Sequence, residues 1–203
     1  DCHFIINHRH GSIETLYEIG VVIMENAYLI HGTSTRDDDW FPWLEEEAKP
    51  IIALDRIWLP NPFNPQQAEW DQAVDNQINP QDNLILVAHS LGCITALRYI
   101  ERHHVKDARL LLVGAFDKGL SAYPELDGFM KDRPHYEQIF PKLAKATVIT
   151  AKDDPIVPYQ NSIEVANKIR AKLIVKETGG HFLTSDGFTK FPLALKELNK
   201  LAE

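Results

Sequence analysis

The chain has 203 residues, 44% of them hydrophobic and 25% charged, with a net charge of −8. That length suits one domain with a sizeable core. An acidic chain without a Lys/Arg-rich block argues against nucleic acid and anionic membranes as partners, and no apolar run reaches the roughly 20 residues that span a bilayer. Two cysteines, Cys2 and Cys93, make no disulfide framework, so a reducing compartment, the cytoplasm, is expected.

Residues 1–23, DCHFIINHRHGSIETLYEIGVVI, fit poorly with the rest of the chain. They read as an N-terminal extension, in which HRHGS and ETLYEIG resemble tag-and-cleavage-site sequence, or as an edge segment with a strand near Ile19 to Ile23. The segment lacks the basic flank, long apolar core and small-residue cleavage site of a signal peptide. Met24 opens MENAYLIHG, and a single domain is expected over residues 24–203.

From Ala27 onward strand and helix signals alternate. Strands are expected over 27–31, 51–55, 84–88, 109–114, 146–151 and 172–177. Helical patterns occupy 40–49, 65–78 (with Pro65 in the first turn), 91–104, 136–144 (interrupted by Pro141), 161–170 and 190–202. Such alternation implies right-handed crossovers and a mostly parallel sheet of about six strands with helices on both faces, an α/β fold in three layers. The longest stretch without pattern, Ala115 to His135, is a candidate lid or rim.

The run LILVA ends in His89-Ser90, then Leu-Gly-Cys and a helical pattern. Polar residues at the carboxyl end of a parallel strand are where open α/β sheets hold ligands. AHSLG places the small residues Ala88 and Gly92 two positions either side of Ser90, as a strand-turn-helix nucleophile elbow requires. The usual first glycine is alanine here, a mild departure because the position needs small size. The alternative role for Ser90 is a helix N-cap. Neither G-x-G-x-x-G nor G-x-x-x-x-G-K-[ST] occurs, so a phosphate is not expected at this turn. A serine nucleophile needs a base, an orienting group and oxyanion donors. Asp153 and Asp154 end the fifth expected strand and His181 ends the sixth, giving the order Ser, Asp, His at one sheet edge. Gly179 and Gly180 let the His181 loop reach across. His31-Gly32-Thr33 follows the first strand, so the Thr33 and Leu91 N–H groups are candidate oxyanion donors.

AYLIHGTSTRDDDWFPWL, IWLPNP, LILVAHSLGC, AKDDPIVP and GGHF together resemble the small retinoblastoma-binding-protein-like serine hydrolases of the α/β-hydrolase superfamily, from about Asn26 to the C-terminus. The resemblance implies an α/β-hydrolase fold with little or no cap domain, with Ser90 as nucleophile, Asp154 as acid member (Asp153 in reserve) and His181 as base. It also implies a Trp-rich surface near the mouth of the site, to which Trp40, Trp43, Trp58 and Trp70 are candidates. The L-x-C-x-E partner motif associated with the family is not intact: Leu91 and Cys93 are followed by Thr95.

Other features carry competing readings. Trp58 is expected either to line a substrate pocket or to be core, and His89 to be a pocket-wall or packing residue. Cys93 reads as a small buried apolar side chain. Asp37, Asp38 and Asp39 read as a solvated helix start rather than a metal site, since no His/Cys ligand spacing accompanies them. The expected activity is hydrolysis of a small-molecule ester, thioester or amide, with no cofactor and no metal. The rivals are a hydrolase-fold module that holds a ligand or a protein partner, and an acyltransferase.

Overall fold

The computed structural model describes residues 24–203. Residues 1–23, expected as an extension or as an edge segment with a strand near Ile19 to Ile23, lie outside the described residues. In chain order the elements are β1 (Glu25–Ile30), α1 (Phe41–Ala48), β2 (Ile52–Arg56), α2 (Gln67–Gln77), β3 (Ile85–His89), α3 (Leu91–Arg102), β4 (Ala108–Val113), α4 (Tyr136–Ile139), β5 (Leu143–Ala151), α5 (Tyr159–Lys168), β6 (Lys172–Lys176) and α6 (Pro192–Ala202). The six strands form one sheet in the order β2-β1-β3-β4-β5-β6, and every pairing is parallel.

Alternation along the central strands sends side chains into two cores. Ile85 and Val87 of β3 join Leu29, Leu111 and Val113 beneath α1 and α6. Leu86 and Ala88 join Ile30, Leu110 and Leu112 beneath α2, α3 and α5. A strand buried on both faces must be apolar throughout, which is why β3 and β4 read as continuous hydrophobic runs. Burial of this kind contributes about 25 cal/mol per Å² of apolar surface.

The chain runs outward from β1 to β2, then returns to place β3 on the other side of β1. The loops after β1 and β3 therefore diverge and leave a crevice at the strands' carboxyl ends. Gly92, in the first turn of α3, lies against that crevice. A Cβ there would stand 2.3 Å from the Ile30 carbonyl oxygen and 2.5 Å from that of His31.

Two expectations are corrected and a third is narrowed. α2 starts at Gln67, so Pro65 lies outside it; Gln66, the capping residue, is still extended. The helical stretch near Pro141 is only a short α4 followed by a 3₁₀ turn, and β5 has already begun at Leu143. The segment 115–135 contains a 3₁₀ turn, Pro124–Met130, that seats Phe129 against Trp70 with ring centroids 5.0 Å apart. That apolar anchor makes it a packed rim.

Gly92→Ala is expected to destabilise the fold by at least the ~1–3 kcal/mol typical of overpacking, because the obstructing atoms are backbone. Urea unfolding against the wild type checks this.

Candidate active site

β3 ends in a sharp turn at Ser90, whose φ of 56° and ψ of −124° lie in a region that non-glycine residues seldom adopt. The turn is held by the Ser90 N–H, which donates to the Val113 carbonyl at 2.9 Å. The Ser90 side chain makes no capping bond to α3, so the N-cap role is set aside. Its hydroxyl donates instead to His181 Nε2 at 2.8 Å. His181 Nδ1–H in turn donates to Asp154 Oδ2 at 2.7 Å. Asp154 Oδ1 accepts the Ile156 and Val157 N–H groups, which fixes the carboxylate plane. The Asp154 and His181 side chains are 0% and 4% exposed, so little solvent screens the bond between them.

The two adjacent aspartates divide their work. Asp153 Oδ1 accepts the N–H groups of Gly179 and Gly180 and so ties down the turn that carries His181. Asp186, which the sequence analysis missed, accepts the N–H groups of His181 and Leu183. Its signal was an aspartate three residues past Leu183, just before Gly187 at φ 92°. Gly114 was also missed. Its φ is 61°, and a Cβ there would come within 3.0 Å of His181 Cε1, so bare backbone makes room for the imidazole.

The loop after β1 passes close to the elbow. A Cβ on Gly32 would stand 2.8 Å from Ser90 Cβ and 3.4 Å from the Leu91 nitrogen. His31 Nδ1–H donates to the Gly32 carbonyl at 2.9 Å, which restrains the peptide unit whose N–H belongs to Thr33. Burial lowers the His31 pKa and favours the neutral ring.

The tryptophans are not grouped on the surface as expected. Trp40 and Trp70 are fully buried, because each indole also finds a carbonyl partner: Phe182 for Trp40, Pro60 for Trp70. Trp43 is only partly exposed. Trp58 is the exception, at 56% exposed, which overturns its core reading. Gln77 pins it by accepting the Trp58 N–H and donating to its carbonyl. Trp58 borders a cleft of about 310 Å³ with His31, Thr35, Arg36, Leu59 and Pro62. A second cavity, of about 330 Å³, is lined by Leu120, Pro155, Ile156 and Asn161, with Asp154 at its edge.

His89 was expected as a substrate contact or a packing residue, and the substrate contact is corrected. The side chain is 1% exposed and packs between Trp40, Phe41 and His181. Cys93 is buried beneath the elbow, where burial pushes its thiol pKa up. Leu91 and Thr95 are buried with it. The aspartate run is not a helix start, since α1 begins at Phe41 with no side-chain cap. Asp37 pairs with Arg56, Asp38 accepts the Thr35 N–H, and Asp39 accepts the Thr184 N–H. Among the described residues no group of three His, Cys, Asp or Glu side chains is arranged to hold a metal, and no helix is long and apolar enough to cross a membrane.

The sequence model of the serine hydrolase family matches residues 27–200. The chain belongs to that family. The hydrolase is 34% identical over 174 residues to YdeN of Bacillus subtilis (strain 168), a hydrolase by name, covering 83% of this chain and 92% of YdeN. It is 27% identical over 158 residues to the serine hydrolase RBBP9 of Rattus norvegicus, covering 76% of this chain and 84% of RBBP9. The crystal structure of the B. subtilis ydeN product superposes with a TM-score of 0.83 at 33% identity, over 88% of this chain and 98% of that one. Mouse alpha/beta hydrolase domain-containing protein 10, at 18% identity and a TM-score of 0.62 over 87% of this chain and 88% of that one, shares the fold. The hydrolase thus has the α/β-hydrolase fold that its motifs implied.

One buried carboxylate anchors the rim beside the site. Asp117 accepts from Lys168 at 2.5 Å, the Tyr136 hydroxyl at 2.8 Å and Arg133 at 3.2 Å. Burial alone would raise its pKa; the bonds and charges of Lys168, Tyr136 and Arg133 overcome that and hold it below the usual carboxylate range. A depressed folded pKa contributes stability above the unfolded value of about 4, and that stability is lost as pH falls through the folded value. Asp117→Asn is therefore expected to be less stable than wild type near neutrality and to show a shallower acid limb, read as urea midpoint against pH.

Proposed function

We propose that the hydrolase cleaves a small ester, thioester or amide through an acyl-enzyme on Ser90. The observation that carries this reading is the continuous donor chain from Ser90 through His181 to Asp154, with links of 2.8 and 2.7 Å. Ser90 Oγ attacks the substrate carbonyl while His181 Nε2 takes its proton. Asp154 holds the tautomer with Nδ1–H facing it and stabilises the imidazolium that forms. The Leu91 N–H, at the start of α3, and the Thr33 N–H stabilise the oxyanion. His181 then gives its proton to the leaving group, and a water activated by the same ring releases the acid. This chemistry calls for no cofactor.

The cleft beside Trp58 adjoins the Thr33 loop and takes one arm of the substrate, with the indole as an apolar wall. Residues 24–203 act as one domain on a small molecule, with neither nucleic acid nor a membrane as partner. The low cysteine count supports a cytoplasmic setting.

Fluorophosphonate labelling tests the assignment. Native protein is expected to label, and Ser90→Ala, still folded, to lose labelling completely. Asp154→Asn should lower turnover on the order of 10⁴-fold, as loss of the orienting carboxylate does in serine hydrolytic sites. Trp58→Ala is expected to raise KM severalfold for aryl esters with kcat little changed. Failure of folded native protein to label or turn over any ester would move the reading to a ligand-holding module.

A further inference from the structure

His89 is a buried titratable side chain to which the acyl-enzyme steps give no task. Its Nε2–H donates to the main-chain carbonyl of His181 at 2.8 Å. Its Nδ1 has no partner among the described residues. An aliphatic side chain would fill the same aromatic box and leave no buried nitrogen unpaired. What the imidazole adds is the bond to His181.

The residues flanking His181 show why that carbonyl needs a partner. Gly180 has φ 55° and Phe182 has φ 58°, so the loop passes through the left-handed region on both sides of His181. A bulky residue at such an angle is strained and persists only where its surroundings hold it. The Phe182 carbonyl accepts Trp40 Nε1–H at 3.1 Å. Two successive carbonyls are thus held by two ring N–H donors, and those rings pack together with centroids 6.1 Å apart. The loop's N–H groups at Gly179, Gly180, His181 and Leu183 are already taken by Asp153 and Asp186. Burial, with His181 nearby, lowers the His89 pKa to about 3, so the ring stays neutral and its donor is unaffected when His181 takes up a proton.

We propose that His89 and Trp40 are positioning residues: a pair of carbonyl clamps that hold the His181 loop in its strained turn and so set the reach from Nε2 to Ser90. The inference rests on the roles proposed above for Ser90 and His181.

The test measures the second-order rate of fluorophosphonate labelling at Ser90, together with the low-field proton resonance of the His181 Nδ1–H bond to Asp154. His89→Leu is expected to label on the order of 10²-fold more slowly, the scale that a 1 Å misplacement costs, and to lose or shift the resonance. His89→Gln, whose amide nitrogen reaches the Nε2 position, should recover most of the rate. A folded His89→Leu with the wild-type rate would overturn the clamp. So would a His89→Gln as slow as His89→Leu, which would assign the effect to packing. If His89→Leu does not fold, Trp40→Phe decides, because it keeps a ring in the box and drops only the N–H: slow labelling with a shifted resonance supports the clamp, and the wild-type rate overturns it. Wild-type protein that does not label removes the Ser90 reading and the clamp with it.

Discussion

The site depends on one contorted peptide. Ser90 at φ 56° turns β3 into α3 within a single residue, and the rest of the local structure keeps that turn closed. The Val113 carbonyl of the neighbouring strand fixes its nitrogen. Gly92 lets α3 settle onto the end of β1, and Gly32 lets the β1 loop pass beside Ser90 Cβ. The strain of an unfavourable dihedral, of order 1–3 kcal/mol, persists because packing on every side over-determines it.

The parallel sheet does the long-range work. Ser90, Asp154 and His181 are separated by up to 91 residues, yet each sits at a carboxyl end of a strand in one sheet. The two longer excursions, at 152–158 and 177–191, carry their own fasteners. Asp154 anchors its turn through two N–H groups while keeping one oxygen for His181. Asp153 and Asp186 secure the histidine loop from its nitrogens, and His89 and Trp40 from its carbonyls. A loop bonded at so many backbone groups loses little entropy when a substrate binds.

Much of this was legible in the sequence, for identifiable reasons. Buried parallel strands have to be apolar on both faces, so LILVA and RLLLV announced themselves, and the polar residues after each strand could be placed at one edge. The choice between Asp153 and Asp154 was not legible from spacing, because both end the same strand. In the structure the Asp154 side chain faces the imidazole and the Asp153 side chain faces Gly179 and Gly180. Trp40 and Trp70 were misread because an indole that finds a carbonyl is as much at home in a core as on a rim; the acceptors, Phe182 and Pro60, are 142 and 10 residues away. The job of His89 was illegible for the same reason, since its partner lies 92 residues on. Asp186 and Gly114 act on backbone and empty space, which leave little trace in a hydrophobic pattern.

The contacts made by Gly92 and Gly32 have one more consequence. The end of β1, the start of α3 and the elbow meet through main chain and the Ser90 Cβ, none of which can change rotamer. The separation between the Ser90 loop and the neighbouring backbone amides is therefore a property of covalent geometry and van der Waals radii. Such a cradle behaves like a machinist's jig, cut to size before any workpiece arrives: in the proposed acyl transfer, charge that develops beside Ser90 would meet a backbone with little reorganisation left to do.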